Sequence, residues 1–193
     1  MAESGSTLVP PRLLYVNANN PMDDIECSIH TLPKPLAREF EHVFGDNYLL
    51  GFEAANAARD DVKVFAVPTN QRAREDLVNI GDHIEMEKDR LLNVFMDFGR
   101  TFCERVRAKG YWADYIDPCS GLPMLTKHCN KVYSEVDGME VLLNYRSYNA
   151  GFCKILTHPK WGSAVYPASV FVHAPFSVVK EAFDTYQVSP ASS

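Results

Sequence analysis

A long amphipathic segment between residues 84 and 109 constrains the fold more than any other part of the sequence. Its apolar side chains recur at spacings of three and four residues, which places them on one stripe of an α-helix. Asp82 and Glu85 have the spacing of a capping box at its start, and Gly110 is where a left-handed glycine would end it. Gly99, inside the helix, predicts a close backbone contact, because glycine there costs about 1 kcal/mol relative to alanine. We interpret the stripe as core; it comprises Leu91, Phe95, Phe98, Phe102 and Val106.

Shorter elements surround this helix. Pro33 and Pro35 open a second predicted helix that ends at Gly45, and a closing helix is predicted at 176–186. Pro68 is expected to stop one strand, and Pro167 indicates an edge or a bulge in another. The predicted strands are 25–29, 62–67, 111–116, 131–133, 140–148, 153–157 and 164–172. The fold class is therefore α+β, a sandwich with a mainly antiparallel sheet and flanking helices.

Composition limits the class of protein. With 193 residues, 46% hydrophobic and 23% charged, the chain suits one globular domain, and its net charge of −6 disfavours nucleic acid and anionic membranes as partners. No apolar run approaches the ~18 residues of a membrane span. Five cysteines without a Cys-x-x-Cys pair indicate reduced thiols inside a cell. We divide the chain into a flexible arm at 1–20, one domain at 21–187 and a disordered tail at 188–193.

Several familiar sites find little support. Phosphate-binding glycine loops and the Gly-x-Ser-x-Gly nucleophile motif are absent from the sequence. Ser28 and His30 are expected to share a strand face without catalysing a reaction. A zinc site is disfavoured because its candidate ligands do not form two tight pairs; these are Cys27, His30, Cys119, His128 and Cys129. Two acidic residues, Asp114 and Asp117, are better suited to capping the Pro118 turn than to acting as a base.

Cys153 is the strongest candidate for chemistry. Gly151 and the preceding turn leave it exposed, and Lys154 beside it would favour the reactive thiolate. His158 lies five residues further on and would be close if the strand bends back. On these residues alone, an ordinary half-buried cysteine in a strand is the better-supported interpretation.

Four ordered runs resemble one protein family. They are Glu-Cys-x-Ile-His-Thr at 26–31, Gly-Tyr-Trp-Ala-Asp-Tyr-Ile-Asp-Pro at 110–118 with Ser-Gly-Leu at 120–122, Gly-x-Cys-Lys-Ile at 151–155, and Trp-Gly at 161–162. Their order and spacing resemble the CblD-type (MMADHC) cobalamin-trafficking adaptors over residues 12–187. The run at 110–122 is the specific part, whereas Gly-x-Cys-Lys alone is a weak motif.

The resemblance implies a non-catalytic adaptor with a nitroreductase-like sandwich fold that lacks flavin and cobalamin pockets. Such a protein docks on a cobalamin-loaded CblC-type (MMACHC) chaperone and helps to route the cofactor to methionine synthase and methylmalonyl-CoA mutase. It binds no cofactor alone and shares cobalamin with its partner. Cys153 corresponds to the cysteine implicated as the cobalt ligand, with Lys154 as supporting charge. Phe152 stands where some relatives have a second cysteine. The implied location is the cytoplasm, with a mitochondrial pool if a targeting segment precedes this chain.

Two other readings stay open. The chain could be a nitroreductase-like flavin enzyme, or a thiol enzyme that uses Cys153; an FMN spectrum of the purified protein would favour the flavin reading. It could also be a scaffold that binds its partner through the sheet edge or the Trp112 region, with no role for any thiol.

Overall fold

The structure is a computed structural model that describes residues 5–17, 19–53, 56 and 59–187. Five strands form one antiparallel sheet: β1 (Thr7–Leu14), β2 (Ile25–Thr31), β3 (Val62–Arg72), β4 (Trp112–Tyr115) and β7 (Val165–Pro175). Their order is β1-β2-β3-β7-β4. A separate hairpin consists of β5 (Arg146–Ala150) and β6 (Cys153–Thr157).

Helices cover both faces of the sheet. They are α1 (Lys34–Phe44), α2 (Asp82–Arg107), α3 (Glu135–Leu143) and α4 (Phe176–Asp184), with a short 3-10 turn at Pro21–Asp23. The predicted α+β class, with a mainly antiparallel sheet and flanking helices, is confirmed. The closer relation to nitroreductases stays a prediction.

Alternation along the strands separates two layers of core. On β7, Val170 and Val172 point into a cluster with α2 and α4, whereas Phe171 between them packs against α1. Phe40 of α1 lies 5.6 Å from Phe171, measured between ring centroids. Successive side chains of β7 point to opposite faces of the sheet, and both sets are apolar. Helices therefore pack against both faces.

The long helix forms as predicted, and its apolar stripe is fully buried. A Cβ built at Gly99 would lie 2.8 Å from the Tyr115 ring, so the predicted close contact is confirmed, with β4 as the neighbour. Gly110 has a φ of +84° just beyond the helix end. The capping box is wrong: Gly81 is the N-cap without a side-chain hydrogen bond, and Asp82 is already helical.

Pro68 and Pro167 lie within strands of the sheet. Pro68 does not end β3, which continues to Arg72 and pairs with β7 throughout. On the other side, the pairs of β2 with β3 are absent around Pro68 because proline has no N–H to donate. Pro167 lies where β7 has β3 on one side only, since β4 pairs with residues 170–173.

Two predicted strands are replaced by other structure. Residues 131–133 form no strand, and the predicted strand at 140–148 is divided between helix α3 and strand β5. The physical reason is a helical spacing that the sequence analysis missed, since Val136, Met139 and Leu143 share one buried cluster. The Ser134 side chain caps this helix by accepting from Asp137 N.

The N-terminal stretch contributes to the sheet. Residues 7–14 of the predicted arm are paired with β2 as an edge strand, and Leu14 is fully buried. The predicted tail at 188–193 lies outside the described residues. Within the part of the chain that the structure describes, no helix combines the length and the apolar character needed to cross a membrane.

Candidate functional site

The β5–β6 hairpin presents the candidate cysteine next to its turn. Ala150 pairs with Cys153, and only Gly151 and Phe152 connect the two strands. Gly151 has a φ of +62°, while Phe152 does not share this conformation, which matches a turn with a positive φ at its first central position. A Cβ at Gly151 would meet nothing within 4 Å, so the turn projects away from the rest of the protein.

The tip of this hairpin combines a free thiol with aromatic surface. Cys153 is exposed and has no disulfide partner. Phe152 is fully exposed, with a relative exposure of 111%, and Tyr148 is 46% exposed. Because strand neighbours alternate, Tyr148 and Cys153 share the face of the hairpin that is turned away from α3. Exposed aromatic side chains of this kind mark surfaces that contact other molecules.

Lys154 lies on the opposite face of the hairpin, towards α3. Its Nζ donates to Asp137 Oδ1 and Glu140 Oε2 of α3, both at 2.6 Å. These hydrogen bonds raise the pKa of Lys154 and lower the pKa of both carboxyl groups. The ammonium is thus paired with two carboxylates of α3 and connects the hairpin to that helix. Its predicted support of a Cys153 thiolate stays a prediction.

A buried cluster fixes the base of the hairpin, and the sequence analysis did not identify it. His158 Nε2 lies 3.0 Å from Glu26 Oε1, and the Tyr145 hydroxyl donates to the same oxygen at 2.9 Å. His158 Nδ1 accepts from the backbone N–H groups of Lys160 and Trp161, so Nε2 carries the proton that Glu26 accepts. The Trp161 ring stacks on the imidazole at 3.9 Å.

This arrangement separates His158 from Cys153. Five residues of strand span about 17 Å, so the imidazole cannot act on the thiol at the tip. His158 instead connects β6 to β2 through Glu26. The signal in the sequence was the short His-Pro-Lys-Trp-Gly run at 158–162, a tight turn that closes on itself through His158 and Gly162.

The other cysteines and histidines do not form a site. Cys27 and Cys103 are fully buried, and burial raises the pKa of both thiols. Ser28 and His30 do share a strand face, with Oγ 2.8 Å from Nε2, and burial lowers the pKa of His30 to about 4. Among the described residues, no group of three His, Cys, Asp or Glu side chains could hold a metal ion.

The two aspartates of the specific run organise its loop. Asp117 caps the turn as predicted, since it accepts from Cys119 N and from the Ser120 hydroxyl. Asp114 is fully buried and accepts from four backbone N–H groups, those of Tyr115, Met124, Leu125 and Thr126. Trp112 is buried in the core as well, so the ring itself is not available to a partner.

Comparison with known proteins identifies the family. The profile described as methylmalonic aciduria and homocystinuria type D protein (MMADHC) matches residues 13–181. Proteins named cobalamin trafficking protein CblD are 33% identical in Rattus norvegicus and 32% in Homo sapiens over 150 residues, which is 78% of this chain and 47% of each relative. The Gallus gallus protein is 28% identical over 168 residues, 86% of this chain and 53% of the relative. The chain thus spans about half the length of the curated relatives it matches. The resemblance seen in the sequence is confirmed, and the chain belongs to the MMADHC family.

Proposed function

We propose that this chain is a non-catalytic adaptor in cobalamin trafficking, which docks on a cobalamin-loaded CblC-type chaperone. In this proposal Cys153 is the thiolate that reaches the cobalt of the partner-bound cofactor. The observation that carries it is the exposed thiol beside the fully exposed Phe152 at a hairpin tip, in a chain of the CblD family.

The position of the thiol suits a ligand supplied to another protein. A cobalt held in a partner is accessible only to a side chain that projects from the surface, which excludes the buried Cys27 and Cys103. Two anchors limit the motion of the projecting hairpin: Lys154 with α3 at its tip half and His158 with Glu26 at its base. Thiolate sulfur is a suitable soft ligand for a transition metal.

Cys153 is the residue of this chain that would hold the cobalt of the partner-bound cofactor. Its thiol would give its proton to solvent, and its sulfur would replace a solvent ligand of the metal, with no electron transferred. Phe152 and Tyr148 would cover apolar surface of the partner around this bond.

The wider role that we propose rests on membership of the CblD family. After docking, the adaptor would help to route cobalamin to methionine synthase or methylmalonyl-CoA mutase, in the cytoplasm with a mitochondrial pool. Cobalamin would be shared with the chaperone rather than bound by this chain alone. A purified chain with the spectrum of bound FMN would contradict the non-catalytic assignment.

The test is a visible absorption spectrum of the chain mixed with a cobalamin-loaded CblC-type chaperone. We expect a spectral change with the native chain and no change with Cys153→Ser. Cys119→Ser is the matched control, because Cys119 is also exposed, and it should behave as the native chain. A change that persists in Cys153→Ser would contradict the ligand assignment, and failure of the proteins to co-elute would contradict docking.

The neighbouring position offers a second variant. Phe152→Cys in the Cys153→Ser background moves the thiol by one residue, from the strand into the turn. Restoration of the spectral change by this variant would show that the tip, rather than one strand position, determines access to cobalt.

A further inference from the structure

A cleft lies at the far end of the sheet from the hairpin. It runs between the segment after α1 and the segment at 125–131, as two adjoining hollows of about 400 and 390 Å³. Trp112 at its floor pairs with His173 of β7, whereas the hairpin packs near Val165 at the start of that strand. Eight residues of strand separate the two places by about 26 Å, so the cleft is a separate site.

The floor of the first hollow is aromatic and uncharged. Trp112, Tyr48 and Phe52 line it, with Trp112 and Tyr48 in edge contact at 4.8 Å. The Tyr48 hydroxyl and His173 Nδ1 share a hydrogen bond of 3.0 Å. Burial raises the pKa of Tyr48 to about 12 and lowers that of His173, which keeps both groups neutral at pH 7.

The rim of the same hollow is basic. Arg107, Lys127 and His128 line it, and none of the lining residues that the structure describes is acidic, although the chain carries a net charge of −6. None of the ion pairs between described residues includes Arg107 or Lys127. Unpaired basic groups beside a concave aromatic surface attract a negatively charged ligand.

Arg107 is already oriented for such a ligand. Its Nε donates to Ala113 O at 2.8 Å, and its guanidinium lies 5.2 Å from the centre of the Phe52 ring. Hydrogen bond and stacking together fix the plane of the guanidinium before anything binds. A fixed guanidinium plane is suited to bidentate contact with phosphate or carboxylate oxygens.

We propose that this cleft binds a small phosphorylated ligand with a planar ring, of the mononucleotide class. The phosphate would contact Arg107 and Lys127, and the ring would lie on the half-buried Tyr48 and Phe52, with the buried Trp112 supporting Tyr48. A volume of about 400 Å³ is within the range of ~300–1,000 Å³ that is usual for small-molecule sites.

Adenosine 5′-monophosphate is the probe, titrated into the full chain and followed by amide chemical shifts and by calorimetry. We expect saturable binding, with shifts confined to the segments that line the hollow, at 47–52, 107–112 and 125–128. Adenosine without the phosphate, and inorganic phosphate without the ring, should each bind at least about tenfold more weakly. Higher salt should weaken binding of the nucleotide.

Three variants assign the contacts. Lys127→Ala should weaken binding about fivefold, and Arg107→Lys, which keeps the charge but not the planar fork, about tenfold. Lys160→Ala removes an exposed lysine elsewhere and should leave the affinity unchanged. Equal affinity in Lys127→Ala and Lys160→Ala, or no saturation at millimolar nucleotide, would overturn the proposal. Inorganic phosphate that binds as tightly as the nucleotide would overturn the role of the aromatic floor.

Discussion

At residue 99 the core has no room for one additional methyl group. The Tyr115 ring lies 2.8 Å from the position that a Cβ would take. Gly99→Ala should therefore lower the stability by about 1–3 kcal/mol through overpacking, partly offset by about 1 kcal/mol of helix propensity. Thermal unfolding checks this, with the midpoint expected a few degrees lower.

Asn93→Ala is the matched control for Gly99→Ala, because Asn93 is exposed on the same helix and the change also favours helix. It should leave the midpoint unchanged or raise it slightly. If Gly99→Ala stabilised the protein as Asn93→Ala does, the close approach of α2 and β4 would be wrong.

Glu135 contributes an unusual pH dependence. Its residue is half-buried, but the carboxyl group is enclosed, and this burial raises its pKa from 4.5 to about 8. The Ser169 hydroxyl donates to Oε2 at 2.6 Å. Above pH 4.5 the unfolded chain loses this proton, while the folded protein keeps it up to about pH 8. The contribution of this group to stability is therefore full below pH 4.5 and is lost as pH rises from there towards 8.

Glu135→Gln should remove that dependence. The slope contributed by this group is at most about 1.4 kcal/mol per pH unit, so the variant should gain stability relative to the native chain as pH rises from 5 to 8. Urea unfolding at three pH values measures the difference. Glu75→Gln, which changes an exposed carboxyl, should keep the native profile, and parallel curves for Glu135→Gln and the native chain would contradict the assignment.

At the scale of elements, the β5–β6 hairpin depends on a few side chains outside the main sheet. Lys154→Met removes both contacts to α3, from Asp137 and Glu140. Amide hydrogen exchange in the hairpin should become faster, because the tip half loses its only ionic contact among the described residues, while exchange in β3 and β7 stays unchanged. Lys160→Met, a change of an exposed lysine at the base, should alter neither region.

An unchanged exchange rate in Lys154→Met would mean that Leu156 in the core, rather than the lysine, holds the hairpin. A second measurement on Lys154→Met separates the two roles considered for Lys154. If the Cys153 thiol reacts more slowly with a disulfide reagent while hydrogen exchange in the hairpin is unchanged, Lys154 supports the thiolate by its charge, as the sequence predicted.

Sequence periodicity predicted the long helix and several short elements, such as β6 at Cys153–Thr157, but it failed between residues 131 and 148. The stripe of α2 repeats over many residues and was unambiguous, whereas α3 offers only three core positions and contains Gly138. Gly138 leaves room for the nearby Tyr133 hydroxyl, which would lie 1.9 Å from a Cβ there, and a helical pattern of apolar residues does not reveal this contact. Pro68 was expected to end a strand but lies within β3. The strand continues because its pairing with β7 does not require an N–H group at residue 68.

At the scale of the whole molecule, the sequence predicted the fold class and a lone cysteine, but not what surrounds it. Strand alternation could have indicated that Lys154 and Cys153 point to opposite faces. The contacts of His158 with Glu26, and of Lys154 with α3, join residues far apart in the chain. The cleft around Trp112 likewise combines three separate segments, so no local motif announces it.

The charge of the molecule fits two separate surfaces. The first hollow of the cleft carries the basic side chains Arg107 and Lys127, whereas the hairpin tip carries the exposed aromatic side chains Tyr148 and Phe152. A mutation in one place should therefore leave the function of the other intact, since their separation of about 26 Å along β7 exceeds the Debye length of about 8 Å in physiological salt.

The most direct test of the central claim is X-ray absorption at the cobalt edge, measured on the complex of this chain with a cobalamin-loaded CblC-type chaperone. The proposal predicts a sulfur atom bonded to cobalt in the native chain and in Cys119→Ser, and its replacement by oxygen or nitrogen in Cys153→Ser. A native complex that co-elutes but has only oxygen and nitrogen around cobalt would contradict the role of Cys153.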